Sequence, residues 1–156
     1  MIKHVWSVMA RQSIIDPDTN SVTIVEVLEN IRIDVQLKDN PLMSEYDREQ
    51  VNAFPMNFEL ISLFYRKKKG LAKTVYSEIK VVDAAGKVIG EFTNPVEFQA
   101  EHDRMRMRAK FDSIGVNKSG EYNFKVYLKQ TEDGEAELVA EIPLSVSINI
   151  DGEQVA

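Results

Sequence analysis

The chain of 156 residues contains no cysteine. That excludes a disulfide framework, thiolate metal ligation and a thiol nucleophile, and it suits a reducing compartment. Tryptophan occurs once and histidine twice. With only His4 and His102 present, an imidazole-based metal centre or general base would need acids gathered around one of them. No apolar run approaches membrane-spanning length, so no membrane partner is expected. Also missing are a Gly-rich phosphate loop, a Gly-x-Ser-x-Gly elbow and a His-Glu-x-x-His pair. Helical periodicity, internal repeats and low-complexity tracts are absent as well. Net charge is −6 and the pI about 5.0, which disfavours indiscriminate nucleic-acid binding. The N-terminal residues alternate in polarity instead of forming an apolar core segment, so no signal peptide is expected and the cytoplasm is the expected address. No cofactor and no metal are expected.

What is present is two-residue periodicity. Tyr122, Phe124, Val126 and Leu128 recur at every second position, as do Leu138, Ala140, Ile142, Leu144, Val146 and Ile148. Between them, Glu132-Asp133-Gly134 offers a three-residue hairpin loop with Gly in the left-handed conformation. Closed there, Leu128 faces Leu138, Val126 faces Ala140 and Phe124 faces Ile142. On the other side Lys129 meets Glu137 and Lys125 meets Glu141. Such opposite charges contribute roughly 0.2–1 kcal/mol per pair.

Earlier in the chain, residues 2–15 read as a strand with Ile2, Trp6 and Val8 on one face. Asp16 to Asn20 is a turn. Residues 21–37 read as one long strand or two collinear ones, 54–66 as another, and 71–82 with 87–93 as a hairpin around Asp83 to Lys87. Asn94-Pro95 is expected to stop that hairpin. Ser44 and Asp47 could cap one short helix through Gln50, in the longest candidate loop, 38–53. The expected fold is an all-β antiparallel sandwich, immunoglobulin-like or Greek-key, with about eight strands in a single domain over 1–150. Residues 151–156 read as a polar tail.

Lys118-Ser119-Gly120-Glu121-Tyr122-Asn123-Phe124 resembles the turn-into-strand segment of immunoglobulin-like sandwiches. There a Gly lies two residues before a Tyr whose hydroxyl bonds back to the connecting backbone. Phe124 stands where that family carries Cys, so the resemblance implies a relative without the disulfide. The opening strand, the Asp16 turn, Val25 to Ile31 and Phe54-Pro55 with Phe58 and Leu63 are similar to small bacterial all-β proteins of unknown function. That resemblance implies a bacterial or phage source and brings no catalytic residues.

The sharpest surface feature is Arg104, Arg106, Arg108 and Lys110, alternating with Met105, Met107, Ala109 and Phe111. Four cations at period two line about 20 Å of strand, at about 3.4 Å per residue. They would form either an anion track or a solvated face paired across the ladder with Glu. Arg66-Lys67-Lys68-Lys69 reads as a soluble hairpin tip. Asp16 to Asn20 carries alternating oxygen ligands, but Ser21 and Val27 stand where an EF-hand needs Gly and Glu. Trp6, Phe54, Phe58, Phe64 and Tyr65 are expected in the core. Glu101-His102-Asp103 reads as a surface loop. No nucleophile and base can be assembled. The expected function is therefore non-enzymatic: a binding or assembly module acting through loops and edge strands on a protein partner, itself or another. The alternative is an anion or single-stranded nucleic-acid binder using Arg104 to Lys110, with a hydrolase third.

Overall fold

Alternating side chains need two apolar faces to bury each other, and the chain does this with two stacked sheets. A computed structural model describes residues 1–36 and 50–154. Its strands are β1 (Ile2–Ile15), β2 (Val22–Val27), β3 (Asn30–Val35), β4 (Asn52–Arg66), β5 (Lys73–Val82), β6 (Val88–Phe98), β7 (Arg104–Val116), β8 (Gly120–Lys129), β9 (Glu137–Ile150) and β10 (Glu153–Gln154). One sheet has the order β2-β1-β4-β7. The other runs β10-β9-β8-β5-β6, with β3 added to β9. The fold is a β-sandwich with no helix among the described residues. The short helix expected from Ser44 to Gln50 lies almost wholly outside them.

There are ten strands where about eight were expected. The stretch 21–37 is not collinear: it changes sheets. Leu28 N–H donates to Met9 O at 2.8 Å in the first sheet, whereas Glu29 O accepts from Ser145 N–H at 3.0 Å in the second. The crossing makes β3 run parallel to β9, Asn30 opposite Ser145 and Val35 opposite Ile150, so one pair departs from the antiparallel pattern. Asn94-Pro95 does not stop β6, which continues to Phe98. β6 lies at a sheet edge, where a missing N–H breaks no ladder bond on its open side. The polar tail turns at Asp151 and Gly152, both at positive φ, and pairs Glu153 with Ile150.

The core lies between Met9, Phe58, Leu60, Phe64 and Met107 of one sheet and Val75, Ile79, Phe124, Val126, Leu144 and Ile148 of the other. A bulge between His4 and Trp6 inverts the expected faces of β1. Ile2 and His4 point inward, then Ser7 and Met9, so Trp6 and Val8 face out over Leu63 and Ile61. Tyr65 is likewise on the outer face. Phe54, Phe58 and Phe64 are buried as expected.

The β8–β9 register holds from Tyr122–Leu144 to Val126–Ala140, and Lys125 sits opposite Glu141. Beyond it, a bulge at Val139 shifts the pairing to Tyr127–Leu138 and Leu128–Glu137. Leu138 is therefore 45% exposed instead of buried. Gly134 is not at positive φ. It is needed because a Cβ there would lie 2.7 Å from Thr131 Oγ1.

Tyr122 is fully buried at the start of β8. Its hydroxyl accepts from the N–H of Asn117 (3.1 Å) and Lys118 (3.3 Å) and sits 2.8 Å from Asn117 Oδ1 and Lys118 O, to one of which it donates. Gly120, two residues earlier, has φ +150°, and a Cβ there would meet Ala84 Cβ at 2.6 Å. Tyr122→Phe leaves the β7–β8 turn without this anchor and is expected to cost about 1–3 kcal/mol. Chemical unfolding checks this; an unchanged midpoint would contradict it.

Candidate functional site

β7 is an edge strand, paired only with β4 among the described residues. Its alternation places Met107 and Ala109 in the core, which leaves Arg104, Arg106, Arg108 and Lys110 on the outer face. The four cations stand opposite Tyr65, Leu63, Ile61 and Glu59 of β4. Only the last is acidic. Lys110 Nζ lies 4.0 Å from Glu59 Oε1. Glu59 is itself committed to β1, accepting from both the N–H and the hydroxyl of Ser13. Arg104 lies over the Tyr65 ring at 5.7 Å. Arg106 donates from Nη1 to Asn20 Oδ1 at 3.0 Å. No carboxylate lies within ion-pair distance of Arg104, Arg106 or Arg108 among the described residues. Of the two readings of this face, an anion track or a ladder paired with Glu, the Glu pairing occurs at Lys110 alone among the described residues.

At the Arg104 end the stripe meets a cleft of ≈ 640 Å³ whose lining is mixed in charge, with Glu101 and Asp103 beside Lys69, Arg104 and Arg106. The Asp16–Asn20 turn supplies one wall. Asp16 Oδ1 accepts from the N–H of Asp18 (2.8 Å) and Thr19 (3.0 Å). These bonds, Thr19 first, hold its carboxyl below the usual carboxylate range. Asp16 thus spends one oxygen on its own turn, and Asn20 is at φ 55° with its side chain turned to Arg106.

Arg66 holds the other wall. It was expected in a solvated basic tip; instead it ends the inward series Phe58, Leu60, Ser62, Phe64 and is 6% exposed. Its guanidinium donates from Nε to His102 O (2.8 Å), from Nη1 to Leu71 O (2.8 Å), and from Nη2 to Ala100 O (2.9 Å) and Gln99 O. It also lies 5.5 Å from the Phe98 ring centroid. The five guanidinium donors suit such convergent carbonyls. The β4–β5 and β6–β7 connections are thereby fastened together, which sets where Arg104 enters β7. The signal for this role was the continuation of β4's alternation into Arg66.

His4 and His102 do not meet. His102 stays in the surface loop, 3.8 Å from Glu101 Oε1. His4 Nε2 lies 2.7 Å from Ser7 Oγ, which lies 2.6 Å from Ser62 Oγ. Burial pushes the His4 imidazole below its usual range, and its ring packs edge-on to Phe64. Sequence spacing had not brought Ser7 to His4; the bulge in β1 does. In this chain of polar groups the Ser7 hydroxyl is shared with Ser62 on the inward face.

The outer face of the second sheet is wired differently. Lys80 Nζ lies 2.9 Å from Glu78 and 3.7 Å from Glu91, and Lys129 lies 3.6 Å from Glu78. Lys125 meets Glu141 at 2.9 Å as expected, while Lys129 has exchanged Glu137 for Glu78. Tyr127 lies under Lys80, whose Nζ is 5.3 Å from its ring centroid. The Lys80 hydrogen bond holds Glu78 below its usual range, and the same bond raises Lys80.

No family model matches the chain, and no curated protein matches it. Among solved structures it is similar to the C-terminal domain of Wzt, at 10% identity and a TM-score of 0.51, over 93% of this chain and 72% of that one. That likeness concerns the sandwich fold alone. The N-terminal domain of PorA matches at 9% identity and a TM-score of 0.27, covering 95% of this chain and 99% of that one. No described helix is long and apolar enough to cross a membrane.

Two outcomes follow from these contacts. Arg66→Met leaves the carbonyls of Leu71 and His102 without a donor, strips Gln99 O and Ala100 O to one backbone donor each, and is expected to cost about 3 kcal/mol. It should also speed amide exchange through residues 99–103; exchange unchanged there would refute the fastening role. For Glu78, a folded pKa depressed by Lys80 adds stability above the ordinary value of 4.5, and that stability is lost as pH falls through the lowered value. Glu78→Gln should therefore flatten the acid limb of the stability–pH curve, measured by thermal unfolding between pH 3 and 6.

Proposed function

We propose that this sandwich is a non-enzymatic binding module whose partner is an acidic protein segment, engaged by the outer face of β7. The single observation that supports it most is the line Arg104, Arg106, Arg108, three guanidinium groups on one strand face with no carboxylate partner among the described residues. On the outer face of the second sheet the half-buried Lys80, Lys125 and Lys129 are all paired with Glu. Unpaired arginines in register form planar donors suited to carboxylates.

A protein partner is favoured over nucleic acid by the far side of the same outer face, on β1 and β2. The same sheet carries exposed Ile14, Val25 and Val27, which match aliphatic side chains better than a sugar–phosphate chain. A net charge of −6 repels a polyanion at long range while leaving a local cationic strand available to a short acidic segment. The Tyr122 hydroxyl bonding back to residues 117 and 118 supports reading the sandwich as immunoglobulin-like. The cysteine-free composition supports a cytoplasmic address.

A fluorescent oligo-glutamate peptide titrated by anisotropy tests the reading. Binding at low salt is expected, weakening steeply as salt rises. Arg106→Glu with Arg108→Glu should weaken it about tenfold or more, with unchanged thermal unfolding. Retained binding in the double variant, or tighter binding to a single-stranded oligonucleotide of equal charge, would contradict it.

A further inference from the structure

Resting on that reading, we infer that the acidic partner binds by strand addition: it pairs with the outer edge of β7 as an extended strand whose acidic side chains alternate with apolar ones.

The geometry of the edge leads to this. β7 ends the first sheet and β6 ends the second, so two open edges lie side by side along one flank of the sandwich. They are not equivalent. Each ladder has one register shift, but β6 carries Pro95, which has no N–H. β7 has no proline from Arg104 to Val116 and stays in unbroken register with β4 from Tyr65–Arg104 to Phe58–Phe111. A row of unpaired backbone groups on a long regular edge is the template that strand addition uses.

An added strand would have two kinds of neighbour, set by the same two-residue period. Its outward side chains would fall beside Arg104, Arg106, Arg108 and Lys110, where carboxylates complete cross-strand pairs. Its inward side chains would enter the groove between β6 and β7. That groove, ≈ 470 Å³, is lined by Pro95, Val96, Met105 and Met107 together with Asn94 and Arg106. Asn94 Nδ2 and Arg106 Nε are both buried there with no hydrogen-bond acceptor. Glu97 and Gln99 line it too, so the groove is mixed: its apolar part suits aliphatic side chains, and its two orphaned donors suit a backbone that brings carbonyls. Further along the same flank Phe92, 43% exposed and edge-on to Phe111 at 5.3 Å, borders an apolar hollow of ≈ 70 Å³. Basic side chains on an edge normally block pairing between like edges. Here the same charges would refuse a second basic edge and accept an acidic one.

The test compares two peptides of one composition, four Glu and four Val, one strictly alternating and the other with the residues in two blocks. Both carry the same charge, so both bind if the stripe attracts acids. The alternating peptide is expected to bind about tenfold tighter. It should also show cross-strand NOEs from its backbone to β7 between Arg104 and Lys110. In Arg106→Glu with Arg108→Glu, a Lys/Val alternating peptide should become the preferred one. Equal affinity of the two acidic peptides, or NOEs to β6 in place of β7, would overturn strand addition while leaving the acidic-partner reading standing. Binding of neither peptide at low salt would overturn both.

Discussion

A strand offers each side chain only two directions, and β4 shows how much follows from that constraint. Its inward residues Phe58, Leu60 and Phe64 form the centre of the core, and the series ends on Arg66. Its outward residues Glu59, Ile61, Leu63 and Tyr65 make the floor on which the β7 cations lie. One periodicity therefore builds the hydrophobic interior, places a buried guanidinium at its end, and sets the spacing of the cationic outer face. Arg66 joins these levels. With four carbonyls converging on it and no carboxylate among the contacts, it fixes two connections at once. A lysine could not, since its single ammonium cannot reach acceptors in a fork.

The two outer faces show what electrostatics contributes. On the second sheet, opposite charges are set across the ladder, and Glu78 serves Lys80 and Lys129 together. Such pairs are worth little individually but hold register. On the first sheet, the residues beside the arginines are Tyr65, Leu63 and Ile61, which leave the cations uncompensated. This contrast within one molecule, under one solvent, is what supports the proposed role of the β7 face.

Much of this was legible in the chain itself. The strand positions, the sandwich, the orientation of Arg104 to Lys110 and the Lys125–Glu141 pair all follow from period two and turn chemistry, which are local. Several of the features that were not legible trace to single-residue irregularities. A bulge at Val5 exchanges the faces of Trp6 and Met9 and brings Ser7 to His4. Another at Val139 exposes Leu138 and frees Glu137 from Lys129. An alternating sequence carries no signal of where an extra residue will be accommodated, because either register buries a tolerable set. The change of sheet after Leu28 is similarly hidden, since both β2 and β3 alternate. Arg66 was misplaced because charge was weighed above its position in the alternation of β4.

The central claim is that β7 is held by β4 on one side and, among the described residues, is open on the other. Residue-resolved amide exchange in the free protein tests it most directly. From Arg104 to Lys110, protected and fast-exchanging amides should alternate, the slow ones being those bonded to β4. Uniform protection through the segment would mean that the outer edge is already paired, and the claim would fail.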